Sequence, residues 1–236
     1  MRTLVFNSRL LDVVGYATLD GSKRFGKATG WRRGLAWAKR ATAQRVDEVQ
    51  GLLFEAVNGC PNDYMLVRRI LCGEVTQAQV ANCLGRSRSS VMMRLRGIIA
   101  AVHAGLIAIA AKDALDADCS GCTINPRTCE RVESDFWAVS LIGFEKRYRK
   151  PPTSAQLKRY LLRHWSELHQ SDNKYLGIGF DEQIRRWCVD ITILVNDRFQ
   201  ADAIARANRQ RWIFNLNTRE CVAICTPQSE SMQQAG

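Results

Sequence analysis

Apolar side chains recur at intervals of three and four along residues 46–57, at Val46, Val49, Leu52, Leu53 and Ala56. A turn of helix takes 3.6 residues, so this spacing gathers them on one face. The pattern predicts a helix from Leu35 to Val57. Asn58-Gly59-Cys60-Pro61-Asn62 stops it, because glycine suits the C-cap and proline cannot continue a helix. A second helix is predicted from about Asn62 to Leu71, ended by Gly73. Thr76 offers an N-cap for a third, Gln77 to Leu84. Gly85 turns the chain, and Ser87 can cap a fourth helix running from Arg88 past Ile107.

Further on, helices are predicted over Val132–Arg149, with Phe136, Trp137, Val139 and Leu141 apolar, and over Ala155–Gln170, capped by Ser154. Another opens at Asp181 and runs to about Asn196, with Ile184, Trp187, Cys188, Ile191, Leu194 and Val195 apolar, and Phe199–Trp212 is the last. Only residues 212–226, WIFNLNTRECVAICT, alternate enough to predict a hairpin. The expected fold class is therefore predominantly α, a helix-turn-helix domain plus a second helical domain. The expected organisation is a basic N-terminal segment over 1–45, a helix-turn-helix domain over 46–116, a Cys-rich linker or zinc loop over 117–130, a C-terminal helical domain over 131–225, and a disordered tail over 226–236.

Composition leaves this picture in place: 46% of the 236 residues are hydrophobic and 24% charged, as in ordinary globular proteins. Charge adds to it. The net charge is +11, and the excess is clustered. Residues 21–45 hold eight lysines and arginines and no acid, among them Lys23, Arg24, Lys27, Arg32 and Arg33, with Phe25, Trp31 and Trp37 interleaved. Such a segment points to a polyanion, and nucleic acid is the expected one. A second basic and aromatic stretch, FEKRYRKPPTSAQLKRYLLRHW over residues 144–165, is either a phosphate patch or a solvated helix end. The most apolar run, Gly97–Ala111, is short of the roughly 20 residues a bilayer span needs and is bounded by Arg96 and Lys112. The opening MRTLVFNSRLLDVVG has no long apolar core and no cleavage site. No signal peptide and no membrane partner are expected, and the expected location is the cytoplasm.

The third and fourth predicted helices carry the candidate chemistry. In a helix-turn-helix the first helix needs a small residue where the second crosses it, and the turn needs a residue that tolerates positive φ. Ala81 and Gly85 meet both needs, and Val80, Leu84, Val91 and Leu95 are the expected contacts between the helices. Ser87, Arg88 and Ser89 then start the second helix, where side chains reach base edges. Arg86, Arg88, Arg94 and Arg96 add charge for phosphates, with no acid anywhere from Val75 to Ala111.

Residues 64–95, YMLVRRILCGEVTQAQVANCLGRSRSSVMMRL, resemble the −35-reading region 4 of bacterial sigma factors. Extended to Leu106, the segment also resembles the antitermination proteins of the Q type from lambdoid phages. The likeness spans about a quarter of the chain, and nothing resembles the sigma region that melts the −10 element. It implies a sigma region 4-like helix-turn-helix and a transcription regulator in the cytoplasm of a bacterial host. Such a protein binds double-stranded DNA near a late promoter and makes paused bacterial RNA polymerase ignore terminators. By this resemblance Arg88, Ser89, Met92 and Met93 take the base-reading positions and Gln77 a phosphate-contacting one. Arg86 stands where an aliphatic residue usually plugs the turn, and Met92 and Met93 replace polar readers. Methionine can touch a thymine methyl or pack on a protein. A promoter-binding repressor or activator, or a polymerase-binding module that never touches DNA, are the other expectations.

Nine cysteines, an odd number, argue against a disulfide framework. Cys119-x2-Cys122 has the spacing of a zinc knuckle, and Cys129, Cys221 and Cys225 are candidates to complete four ligands around one structural zinc. The alternative is a loop with free thiols. His103, inside an apolar helix, is expected to be a core residue. With no phosphate loop, HExxH, GxSxG or paired carboxylates, no enzymatic activity is expected.

Overall fold

The computed structural model describes residues 46–71, 75–117 and 121–224. The basic 1–45 segment, the 226–236 tail, Cys119 and Cys225 lie outside the described residues. The chain divides into two compact units, one of residues 46–108 with 158–165 and the other of residues 109–157 with 166–224.

The first unit is helical. Helix α1 (Val46–Ala56) ends where Asn58, at φ +55°, takes the left-handed position. The amides of Asn58 and Gly59 then close back on the carbonyls of Glu55 and Phe54, capping the helix end. Helix α2 (Pro61–Leu71) starts on the proline expected to act as a stop, since proline suits a first turn. Helices α3 (Gln77–Cys83) and α4 (Arg88–Ala117) follow. Val49, Leu53, Val57 and Val67 are buried, and α1 meets α4 at Gly105, where an added Cβ would lie 2.4 Å from Leu52 Cδ2. His103 is 1% exposed and sets its ring edge-on to Trp165 at 5.4 Å between centroids. Lys158 pairs with Glu55 at 2.8 Å. Helix α4 is long and apolar enough to cross a membrane, but 67% of its apolar window is buried inside the protein.

The second unit overturns the predominantly α expectation. Eight strands form one curled antiparallel sheet in the order β2-β1-β5-β6-β3-β7-β8, with β4 also on β6. They are β1 (Gly121–Asn125), β2 (Glu130–Arg131), β3 (Trp137–Ser140), β4 (Lys146–Tyr148), β5 (Tyr175–Asp181), β6 (Arg186–Val195), β7 (Trp212–Asn215) and β8 (Cys221–Ala223). The fold is mixed α/β, and the expected C-terminal helical domain is built around this sheet. The predicted helices over Val132–Arg149 and Asp181–Asn196 are strands, and β1 occupies the expected zinc loop. Helices α5 (Ser154–Arg163), α6 (Trp165–Leu168) and α7 (Arg198–Ala207) are what remains of the rest. Thr153 caps α5 in a reciprocal box with Gln156, and the chain turns at His164 before α6.

Strand β6 is the spine of the sheet. It pairs with β5 along one edge, and with β4 and then β3 along the other. Trp187, Val189, Ile191, Ile193 and Val195 share one face of β6, since side chains alternate along a strand. Part of that face joins Trp137, Val139 and Ile213 in a core closed by Ala201 and Ala205 of α7. The other face is polar. Asp190 accepts from Ser140 Oγ at 2.8 Å and from Thr192 Oγ1 at 2.5 Å. Gly177 lies across from Asp190 in the register, and a Cβ there would stand 2.4 Å from its carboxylate and 2.2 Å from Thr192 Oγ1. Only glycine leaves room for this buried cluster.

The expected hairpin over 212–226 is present as β7 and β8. Its turn is organised by Asn215, whose side-chain carbonyl accepts from the amides of Asn217 and Thr218 while its amide donates to Asp135.

Candidate nucleic-acid interface

The α3–α4 pair is locked by its own sequence. Thr76 caps α3 through a full capping box: its hydroxyl accepts from the Gln79 amide at 3.2 Å, and the Gln79 side chain accepts from the Thr76 amide at 2.8 Å. The far end of α3 closes as a Schellman motif. Gly85 sits at φ +58° and donates to Asn82 O, while the Arg86 amide donates to Ala81 O at 2.9 Å. Ser87 then caps α4, its Oγ accepting from the Ser90 amide at 3.2 Å. Three residues set a sharp turn, and none of it depends on distant contacts.

Val80, Ala81 and Leu95 are buried and Val91 half-buried, as contacts between crossed helices require. Leu84, expected among them, is 54% exposed. Arg86, Ser87, Arg88, Ser89, Met93, Arg94 and Arg96 are exposed, while Gln77 and Met92 are half-buried. Arg94 donates to Asp63 of α2 at 2.5 Å. Arg86, Arg88 and Arg96 make no ion pair among the described residues. Three guanidinium groups thus stand in solvent around the turn and the first three turns of α4. A row of phosphates would neutralise charge arranged in this way.

Asp63 is the part of this surface that the sequence did not signal. It lies 31 residues before Arg94, and no short-range spacing marks the pair. Lys23, Arg24, Lys27, Arg32 and Arg33 fall outside the described residues. The second basic stretch is divided by the fold: Lys146–Tyr148 is strand β4, Arg147 bonds Glu145, and Lys158 bonds Glu55.

Three of the zinc candidates, Cys122, Cys129 and Cys221, fall among the described residues. Cys122 lies on β1 and donates to Ala111 O at 3.8 Å, and Cys129 is buried in the following turn at φ +54°. Cys221 lies on β8, with β5, β6, β3 and β7 between it and β1. Among the described residues no group of three or more metal-ligating side chains is assembled.

The second unit has its own polar feature. The Asp190 carboxyl is pushed up to about 6, first by burial and further by Glu145, against the pull of the Thr192 and Ser140 hydroxyls. The Cys188 thiol is pushed up to about 11 by burial and by Glu145, Asp181 and Asp190, so it stays protonated near neutral pH.

Comparison with protein-family models, with curated proteins and with solved structures finds no match to this chain.

Proposed function

We propose that the protein is a DNA-binding transcription regulator of phage type, most concretely a Q-like antiterminator. It lays α4 against double-stranded DNA near a promoter and acts on bacterial RNA polymerase in the host cytoplasm. The observation that carries this reading is the exposure of Arg86, Arg88 and Arg96 without acidic partners among the described residues, on a helix pair whose turn is fixed by Gly85 and two caps. The resemblance of residues 64–95 to sigma region 4 supports it, as does the acid-free run from Val75 to Ala111. Arg88, exposed in the first turn of α4, is the residue assigned here to a bidentate guanine contact, worth about 1–3 kcal/mol of discrimination.

A mobility-shift titration against salt tests DNA binding. Two phosphate contacts, from Arg86 and Arg96, contribute a slope of about −1.8 in log K against log salt, and the basic 1–45 segment adds to it. Binding that ignores salt, or that survives Arg86, Arg88 and Arg96 all changed to alanine, rules the surface out. Transcription by purified polymerase across a terminator then separates the antiterminator from a repressor or activator: read-through must rise when the protein is added. If no duplex binds but polymerase is pulled down, the protein is an interaction module, and exposed Leu84 and Met93 are its anchors.

A further inference from the structure

Resting on the DNA-binding reading, we infer that Met93 is a specificity-determining residue that reads the methyl group of thymine in the major groove.

The two adjacent methionines of α4 are not equivalent. Met92 is half-buried, whereas Met93 is 67% exposed. A methionine is costly to leave in water, since a fully buried side chain of this size is worth about 1.5–3 kcal/mol. Ser89, Met93 and Arg96 fall at i, i+4 and i+7, so all three share one stripe of the helix. Ser89 and Arg96 are exposed as well, and no acid lies between Val75 and Ala111. The stripe is thus an apolar tip bracketed by a hydroxyl and a guanidinium. A thioether has no proton to donate to a purine edge and accepts weakly from an amino group. The one apolar feature that a base pair offers in the major groove is the thymine C5-methyl. Arg96, one turn further along the same stripe, holds the backbone while the Met93 terminus meets that methyl. The selectivity this gives is for methyl-bearing pyrimidines, not for adenine–thymine pairs as such.

The chemistry can be tested without knowing the natural target. The probes are short duplexes of alternating adenine–thymine and adenine–uracil, and of guanine–cytosine with and without 5-methylcytosine. Uracil lacks the thymine methyl, and 5-methylcytosine carries a methyl at the same groove position. The wild-type chain is expected to bind each methyl-bearing duplex about fourfold tighter than its unmethylated twin, the value for burying one such group. Met93→Ala, at an exposed site where folding is not at risk, is expected to bind both members of each pair equally. Met65→Ala, at an exposed methionine of α2, is expected to keep the preference. Salt-dependent binding with no methyl preference in the wild type overturns the inference and leaves the DNA-binding reading standing. A methyl preference that persists in Met93→Ala overturns it as well. Failure to bind any of the duplexes at low salt overturns the reading beneath it. Loss of polymerase capture on Met93→Ala, with equal binding to all duplexes, assigns the tip to a protein surface instead and likewise overturns the inference.

Discussion

The guanidinium of Arg94 on α4 donates to the carboxylate of Asp63 on α2 at 2.5 Å, with both side chains at least one-third exposed. An exposed pair of this kind contributes at most about 1 kcal/mol to stability. Its larger effect is on charge: it takes one of the four arginines around the turn out of the free set and leaves Arg86, Arg88 and Arg96. In the proposed complex the four are therefore unequal.

That inequality is measurable. Arg86→Ala or Arg96→Ala is expected to weaken DNA binding and to reduce the salt slope by about 1, and Arg88→Ala to weaken it and relax the preference for guanine. Arg94→Ala is expected to change both less. Asp63→Ala frees Arg94 and is expected to tighten non-specific binding, with a steeper slope. Equal losses for all the arginine variants, or no gain for Asp63→Ala, would show that the pair does not screen Arg94.

The turn between α3 and α4 gives a second prediction. Gly85 sits at φ +58°, and a Cβ added there would meet no heavy atom within 4 Å, so only the backbone resists a side chain. Gly85→Ala is expected to destabilise the protein by about 1–2 kcal/mol. Gly85→Asn is expected to cost less, because asparagine tolerates the left-handed region. Urea melts distinguish them, and equal midpoints for wild type and Gly85→Ala would contradict the assignment.

Packing between α1 and α4 gives a third. An alanine at Gly105 meets Leu52 Cδ2 at 2.4 Å and Cδ1 at 2.9 Å. Gly105→Ala is expected to cost about 1–3 kcal/mol by overpacking. Leu52→Ala opens a cavity and also destabilises, but the double variant is expected to recover part of the sum. A double-mutant cycle with no coupling would place the two residues apart.

Asp190 gives the pH prediction. Its folded carboxyl titrates near 6, above the unfolded value of about 3.9. The folded state therefore binds the proton more tightly. The stabilisation from that proton is full below pH of about 4 and is lost as pH rises through about 6, by roughly 3 kcal/mol in all. Asn at this position keeps an acceptor and adds a donor for the two hydroxyls but does not titrate. The stability of wild type minus that of Asp190→Asn is expected to fall across this window. A flat difference would show that the carboxyl is not desolvated.

Much of the first unit was legible in the chain. Thr76, Gly85 and Ser87 act on amides within a few residues of themselves, so their roles follow from local sequence, and α3 and the start of α4 fall where those signals put them. The exposure of Arg88 and Ser89 follows from the same logic. The state of Arg94 does not, because its partner is 31 residues away.

The second unit departs from expectation where two periods fit the same residues. Between Arg186 and Val195, Trp187, Cys188, Ile191, Leu194 and Val195 satisfy a helical spacing. Trp187, Val189, Ile191, Ile193 and Val195 satisfy a strand. Both faces of β6 are largely buried, which erases the alternation that marks a half-buried strand. The β-branched run Val189, Ile191, Thr192, Ile193 and Val195 was the remaining local signal.

By itself, then, the sequence determined the helix ends and the turn of the α3–α4 pair, because caps and left-handed glycines act over one or two turns of backbone. Only the tertiary structure decided that β6 is a strand, that Asp190 lies buried between Ser140 and Thr192, and that Arg94 is spoken for while Arg88 is not. Strand pairing and ion pairing join residues tens of positions apart, and such partners meet only once the chain has folded.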